Sequence, residues 1–388
     1  MRTPDLDRIL SAMLKTYQGI SDLNFSVGHP LQVEDFGELK PVYVDPPIEQ
    51  LTAYQTEQIA LLLMRSNSRL VREYLRNGSC DCSYSLADEA RFRVNIFRQQ
   101  GNFAIVMRKL QAQIPTLSAL GLPPIFGQIA MEKTGLVLVT GATGSGKTTT
   151  LAGLLAEINA TQSVHVITLE DPIEFIYPTA RATFNQRELG QDFDSYPNGL
   201  RAALRQAPKV ILVGEMRDRA TVEVALMAAE TGHLVLSTLH TVDAGQSINR
   251  IVGLFSTGEE QQLRLRLADS LRYIVSQRLA PRVDGGRQLL TEIMGHNLRT
   301  RETIALGESE NRTFYEIIEA SSPFGWNTFD QSILAAYEAG TITQETANLF
   351  ASKKGRISRG IDLIEKKRGI ENQNATGLRL DLSTNAFR

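Results

Sequence analysis

The sequence predicts an α/β chain in which a small α+β unit precedes a larger unit built on a parallel sheet, with a helical region at the end. Near the start, apolar residues recur at helical spacing and then alternate with polar residues, as in half-buried strands. Further along, short apolar runs alternate with helical patterns, which is typical of buried parallel strands joined by crossover helices. From about residue 258, the spacing of apolar residues indicates mostly helices.

The length and composition limit the class of protein. At roughly 100–200 residues per domain, 388 residues suggest two or three domains. The net charge of −2 argues against a protein that coats nucleic acid. Cys80 and Cys82 alone cannot form a four-ligand zinc site or a disulfide framework, which favours a reducing cytosol. With no signal peptide and no apolar run of ~18 residues, no membrane-spanning helix is expected.

The first unit is predicted to span residues 1–110. Residues 6–14 and 52–64 have helical spacing, and residues 91–97 and 103–107 read as strands. On the first of these strands, a period of two places Phe92 and Val94 on one face. Arg91 and Arg93 then share the other face, and Arg108 follows the second strand.

The remaining domain bounds follow from breaks in this pattern. Residues 111–124 contain three prolines and a glycine and are predicted to be a linker. A parallel-sheet domain is expected over residues 125–300 and a helical region over residues 301–368, with helices at 261–279, 328–337 and 344–350. Residues 369–388 are polar and are expected to form a flexible tail.

The strongest motif is a glycine-rich loop between an apolar strand at 136–140 and a helical pattern at 148–159. It matches G-x-x-x-x-G-K-[ST], in which backbone N–H groups and a helix N-terminus surround phosphates. Lys147 would reach the β- and γ-phosphates of ATP, and the Thr148 hydroxyl would bind Mg²⁺. A chance glycine-rich turn is disfavoured by the flanking strand and helix. The candidate nucleotide ligands are Gly141, Ala142, Thr143, Gly144, Ser145, Gly146, Lys147, Thr148 and Thr149.

Two acidic segments follow apolar strands and would meet at the same sheet edge. Glu215 ends the run at 209–213, where it would hold Mg²⁺ through water or activate the attacking water. Glu170, Asp171 and Glu174 follow the run at 164–169, and crowded carboxylates are costly without a nearby cation. An exposed strand-end glutamate and a solvated acidic loop are the alternatives.

Histidines and arginines complete the candidate site. His233 and His240 bracket the apolar strand at 234–238, so His240 would lie at the phosphate edge, where it could contact the γ-phosphate. His233 would lie at the other end of the strand, where it is either structural or serves the nucleotide site of an adjacent subunit. Phosphoryl transfer needs positive charge, often from another domain or subunit. Spacing alone does not decide whether Arg91, Arg93 and Arg108 supply that charge or are solvated.

Together these segments resemble the ATPases of the type II/IV secretion superfamily, in particular the type IV pilus retraction ATPases (the PilT/PilU group). The resemblance covers roughly residues 20–350. It is carried by VILVGEMRD and AAETGHLVLSTLHT at residues 210–218 and 228–241, and by SDLNFS, ARFRVNIF, NQREL and NTFDQSI elsewhere. It implies an N-terminal PAS-like domain followed by a RecA-like P-loop NTPase domain.

The resemblance also implies roles and partners. The segment from Glu170 to Glu174 corresponds to the aspartate box, Glu215 to the Walker B glutamate, and His233 and His240 to the histidine box. Arg91, Arg93 and Arg108 would help to reach nucleotide across the domain interface. The implied protein is a cytoplasmic homo-hexamer at the inner face of the membrane. It would use ATP and Mg²⁺, act on an inner-membrane pilus platform protein and touch the membrane only peripherally, with a paralogous retraction ATPase as a further partner.

Two departures from the family pattern qualify the implied role. The AIRNLI-type motif tied to retraction is reduced to Arg301 and Ile304, and Ala207 and Lys209 replace acidic residues before the Walker B strand. An accessory paralogue or a motor of another secretion-like machine is therefore an alternative. A RecA-like DNA motor is a further alternative, which the near-neutral charge disfavours. The last is a nucleotide-binding scaffold without hydrolysis, which the retained acids and histidines disfavour.

Overall fold

The N-terminal part of the chain, residues 3–109, forms a six-stranded antiparallel sheet in the computed structural model, which describes residues 3–65, 67–87, 89–110, 113–310 and 312–368. Its strand order is β3-β2-β1-β6-β5-β4. Phe92 and Val94 are fully buried on one face, as their spacing predicts. The elements are α1 (Thr3–Thr16), β1 (Ile20–Phe25), β2 (Leu31–Asp35), β3 (Glu38–Val42), α2 (Ala53–Met64), α3 (Ser68–Asn77), β4 (Ser79–Leu86), β5 (Ala90–Gln99) and β6 (Asn102–Lys109).

The larger part that follows, from residue 125, is built on a seven-stranded sheet with the order β13-β12-β7-β11-β10-β8-β9. All neighbours are parallel except β12 and β13. The carboxyl ends of β7, β8, β10 and β11 therefore share one edge, where open α/β sheets bind ligands. The elements are α4 (Ile125–Met131), β7 (Gly135–Thr140), α5 (Lys147–Thr161), β8 (His165–Glu170), β9 (Thr183–Glu188), α6 (Tyr196–Ala203), β10 (Val210–Val213), α7 (Arg219–Glu230), β11 (Leu234–Leu239), α8 (Ala244–Val252), α9 (Glu260–Ser270), β12 (Leu271–Pro281) and β13 (Arg287–Met294).

One sequence prediction is wrong in this region. The helix expected over residues 261–279 ends at Ser270, and the chain continues directly as β12. β12 pairs with β7 on one side and β13 on the other, so Ile274 and Val275 are buried in the sheet. Tertiary pairing outweighs the helical spacing of these residues.

The last part of the described chain is helical, as expected. Phe329 and Ile333 of α12 pack with Ile357 and Ile361 of α14 in a small core of their own, which also receives Leu290 from β13. The elements are α10 (Leu298–Leu306), α11 (Phe314–Ala320), a 3-10 turn (Ser322–Phe324), α12 (Phe329–Glu338), α13 (Gln344–Phe350) and α14 (Lys354–Lys367).

The α/β class is thus confirmed, while the expected domain bounds stay a prediction. Within the described ranges, every helix is too short or too polar to cross a bilayer. The tail expected at 369–388 lies outside the described residues.

Candidate nucleotide site

The phosphate loop joins β7 to α5 and depends on its glycines. Gly141 has φ +144°, and a Cβ atom there would lie 2.5 Å from the Gln277 carbonyl oxygen of β12. Gly144 and Gly146 also have positive φ values, which other residues rarely adopt. Gly146 is the N-cap of α5, so the helix begins at Lys147 and directs its free N–H groups into the loop.

Lys147 is buried against its own loop. Its Nζ donates hydrogen bonds to the carbonyl oxygens of Gly141, at 2.9 Å, and Ala142, at 3.1 Å. Burial lowers the pKa of this amine, and the nearby Glu215 opposes that shift. The ammonium is therefore held inside the loop, on the inner side where phosphates would lie.

The loop has the donors that a triphosphate and Mg²⁺ need. The Ser145 hydroxyl is buried without a hydrogen-bond partner among the described residues, so it is available to a phosphate oxygen. Thr148 is exposed at the loop's end. Among the described residues, no group of three or more His, Cys, Asp or Glu side chains could hold a metal by itself. This donor set fits Mg²⁺, which proteins usually hold through one or two ligands together with phosphates.

Glu215 is the second residue after β10, and its carboxylate contacts the side chains of Arg217 and His240. Its Oε2 is 2.7 Å from Nη2 of Arg217 and 3.3 Å from Nε2 of His240, which follows β11. Burial by itself would raise the pKa of Glu215. The hydrogen bond and charge of Arg217, together with His240, outweigh burial and lower the pKa. Glu215 is therefore a carboxylate at neutral pH, as a base or Mg²⁺ ligand must be.

Replacing Arg217 with Ala should shift the acid limb of the ATPase pH profile to higher pH. Arg217 lowers the pKa of Glu215, so its loss raises that pKa, and Glu215 is protonated at a higher pH than before. The measurement is kcat/KM for ATP between pH 5 and 9. Arg219→Ala is the matched control, because Arg219 pairs with Glu223 and Glu259 instead. An unshifted acid limb in Arg217→Ala would contradict the assignment.

The three carboxylates of the acidic turn have different environments. Glu170 is 7% exposed and accepts a hydrogen bond from the Thr168 hydroxyl at 2.5 Å, and burial raises its pKa to about 7. Asp171 is exposed. Burial also raises the pKa of Glu174, which Arg93 and a hydrogen bond from Thr148 oppose. Glu174 alone among them therefore contacts the phosphate loop.

The predicted arginines are placed in three different ways. Arg93 is exposed on β5 and lies near Glu174. Arg91 has its Nη2 3.7 Å from Oε2 of Glu188. Arg108 of β6 lies opposite Arg93 in the register of β5 and β6, so the two side chains share one face of the sheet. The Nε of Arg108, however, donates to Asp22 at 2.9 Å. Of the three, Arg93 is the one whose charge acts on Glu174 in the acidic turn.

His233 lies away from this edge. It precedes β11, whereas His240 follows it, and a six-residue strand at ~3.3 Å per residue separates them by about 20 Å. The Nδ1 of His233 is 3.0 Å from the carbonyl oxygen of Ala228 at the end of α7. This side chain therefore fixes the start of β11 in the chain described here.

Sequence reasoning missed part of the site. A cavity of about 360 Å³ adjoins the phosphate loop and has Val242, Leu279 and Phe350 among its lining residues. Arg278 also lines it and donates to the carbonyl oxygen of Phe350 at 2.8 Å. Arg278 and Leu279 come from the strand that was predicted to be a helix, and Phe350 comes from a C-terminal helix, so no local pattern signals these three residues. Arg217 could have been suspected from its position two residues after Glu215.

Comparison with known proteins identifies the family. The family model described as "Type II/IV secretion system protein" matches residues 77–322, which is more than half of the chain. The chain belongs to this family. The resemblance drawn from the motifs is therefore confirmed.

Relatives in this family match over most of their length. The type IV pilus retraction ATPase PilT of Pseudomonas aeruginosa is 37% identical over 88% of this chain and 97% of the relative. A twitching motility protein of Neisseria gonorrhoeae is 40% identical over 80% of this chain and 82% of the relative. The type IV pilus ATPase PilU of Pseudomonas aeruginosa is 36% identical over 88% of this chain and 87% of the relative.

Solved structures of the family have the same fold. The crystal structure of the pilus retraction motor PilT with bound ADP matches with a TM-score of 0.80 and 39% identity, over 92% of this chain and 99% of that one. The Legionella pneumophila ATPase DotB matches with a TM-score of 0.79 and 29% identity, over 90% and 95%. The predicted fold class, an N-terminal domain followed by a RecA-like ATPase domain, and the prediction of an ATPase are confirmed.

Proposed function

We propose that this chain is a motor ATPase that powers type IV pilus retraction or an accessory step of it. The relatives named as retraction or twitching proteins support this proposal, since each aligns over at least four fifths of both chains. Family membership accounts for ATP as the substrate. The link to the pilus rests on the relatives.

One observation supports a motor in particular. The phosphate edge of the seven-stranded sheet carries Lys147, Glu215 and Glu174, while Arg93 of the six-stranded sheet lies close enough to Glu174 for its charge to oppose the rise in the pKa of that carboxyl. A nucleotide bound here would thus meet groups from both the six-stranded and the seven-stranded sheet. Its binding and release would change the relative position of the two sheets, which is how hinged domains convert ligand binding into movement.

The residues of the site divide the work of hydrolysis. Lys147 would exchange the carbonyl oxygens of Gly141 and Ala142 for the β- and γ-phosphates, and loop N–H groups would hold the phosphate oxygens. Glu215 would accept a proton from the attacking water, with His240 beside its Oε2. The apolar walls of the adjoining cavity suit a purine ring.

Thr148 and Glu215 would hold Mg²⁺, the first directly and the second through water. When bound, Mg²⁺ neutralises charge that develops on the phosphate oxygens. Glu174 would orient the Thr148 hydroxyl, with which it is hydrogen-bonded. Arg93 would add positive charge from the six-stranded sheet.

The finer parts of the proposal concern assembly and location. We propose a homo-hexamer in the cytoplasm at the inner face of the membrane, with the pilus platform protein and a paralogous ATPase as partners and only peripheral membrane contact. Two residues of the degenerate segment at 299–304 have structural contacts. Arg301 pairs with Asp269 of α9, and Ile304 is 2% exposed. The segment therefore anchors α10 on α9 whether or not it contacts a partner.

Deleting the gene in its host should leave cells that assemble type IV pili but retract them poorly. The measurement is pilus dynamics by fluorescence microscopy, with the wild-type gene and a Lys147→Ala gene as complements. We expect rescue by the first only. A defect that appears only when a paralogous ATPase gene is also deleted would assign the accessory role. Normal retraction in both the single and the double deletion would contradict the proposal.

A further inference from the structure

Glu188 lies at the contact between the two sheets and belongs to none of the boxes described above. It is the last residue of β9 and is 5% exposed. Ser83 of β4 donates its hydroxyl to the Glu188 carboxylate, with O–O distances of 2.8 and 2.9 Å. Nη2 of Arg91 is 3.7 Å from the same group. A buried carboxylate of the seven-stranded sheet is therefore held by the six-stranded sheet.

The same carboxylate also holds the acidic turn. The Ile173 N–H donates to Oε2 of Glu188 at 3.2 Å, and Nε2 of Gln191 donates to Oε1 at 2.5 Å. Ile173 directly precedes Glu174, which is hydrogen-bonded to Thr148. Glu188 thus fixes the backbone from which Glu174 reaches the phosphate loop.

The two partners of Glu188 lie next to Arg93 and Glu174, whose opposite charges interact. Ser83 pairs with Arg93 in the register of β4 and β5, so their side chains share one face of the sheet. In the acidic turn after β8, Ile173 and Glu174 are consecutive residues. Any change in how Ser83 and Ile173 are held at Glu188 would therefore move Arg93 relative to Glu174.

We propose that Glu188 is a positioning residue for ATP hydrolysis, which docks Ser83 of the N-terminal sheet onto the acidic turn and so sets Arg93 against Glu174 and Thr148. The inference rests on the proposed motor function. Glu188 itself would touch neither nucleotide nor Mg²⁺. The contact between Glu188 and Ser83 would form when the two sheets move together and break when they separate.

The test compares Ser83→Ala and Glu188→Ala with Ser85→Ala, all in the full-length protein. Ser85 is exposed two residues along β4 and shares the face of Ser83, which makes it a matched control. Because Ser83→Ala and Glu188→Ala each lose a hydrogen bond to a charged group, we expect kcat to fall about tenfold in these two variants and to stay near the wild-type value in Ser85→Ala. KM for ATP and the affinity for ADP should change less than about twofold. Glu188→Gln keeps an acceptor oxygen and should retain more activity than Glu188→Ala.

Two further readouts separate positioning from general stability. The double variant of Ser83 and Glu188 should lose no more activity than the worse single variant, because both remove one contact. Hydrogen exchange should be faster at residues 173–174 in Glu188→Ala, while thermal unfolding of Ser83→Ala stays near that of the wild type. The inference would be overturned by any of three results: activity losses that multiply in the double variant, unchanged hydrogen exchange at residues 173–174, or equal kinetics for Ser83→Ala and Ser85→Ala. If the wild type hydrolyses no ATP, the proposed function fails, and the exchange measurement still decides whether Glu188 holds the turn.

Discussion

Lys147→Ala is expected to lower the ATPase rate by roughly 10³-fold, because it removes a preorganised charge from the place where negative charge develops. In the structure the amine is 9% exposed and bound to two carbonyl oxygens of its own loop. Alanine leaves those two oxygens facing the phosphates with no cation between them. We therefore also expect weaker nucleotide binding. Phosphate release and binding of a fluorescent ATP analogue would measure the two effects separately.

Lys133→Ala is the matched control for this substitution. Lys133 precedes β7 at the opposite edge of the same sheet, where its Nζ donates to Oε1 of Gln162 at 2.7 Å. The Lys133→Ala substitution removes an equal charge from the same sheet, so turnover should stay close to that of the wild type. Wild-type turnover in Lys147→Ala would exclude hydrolysis at this loop.

Glu215→Gln is expected to lower kcat by about 10²–10⁴-fold while ATP binding is retained, since general-base catalysis contributes that much. The amide has nearly the same shape but cannot accept a proton from water. Arg217 and His240 both lie within 3.3 Å of the carboxylate, so the substitution also removes the anion that orients them. Single-turnover hydrolysis and an independent binding assay would separate chemistry from affinity.

Glu223→Gln controls for the loss of a negative charge near this site. Glu223 pairs with Arg219 on α7 instead of with Arg217 or His240, so this substitution should leave turnover unchanged. Equal rates for Glu215→Gln and the wild type would instead support a scaffold that binds nucleotide without using Glu215. That outcome would leave the family assignment intact and remove the motor function.

The phosphate edge could be predicted from the sequence because its geometry is local. A strand, a glycine-rich loop and a helix follow each other without interruption, and the direction of the parallel strands puts Glu215 and His240 beside the loop. Neither step requires knowledge of distant packing. The different environments of Glu170 and Glu174 were not predictable, because they depend on Thr168, Gln186 and Thr148 around each carboxylate.

The prediction failed where tertiary pairing decides the structure. Leu263, Leu267 and Leu271 keep helical spacing across the end of α9, so periodicity alone continues the helix into β12. β12 contains polar residues such as Arg272, Ser276 and Arg278, but they do not alternate with apolar residues, so no period of two marks it as a strand. Ile274 and Val275 are β-branched, which was the available signal for a strand.

Glu188 could not be recognised for a different reason. Its partner Ser83 is 105 residues away in sequence, on a sheet whose orientation the sequence does not reveal. The NQREL string identifies the family but does not indicate what the glutamate contacts. Only the docking of the two sheets gives this residue a chemical environment.

The contact between Arg69 and Gly190 limits how the protein can move. A Cβ atom at Gly190 would overlap the Arg69 guanidinium, so the α3 side chain rests directly on the backbone of the turn after β9. The two sheets can therefore separate only if the Arg69 side chain leaves the Gly190 backbone, and a side chain at position 190 would keep this contact from forming.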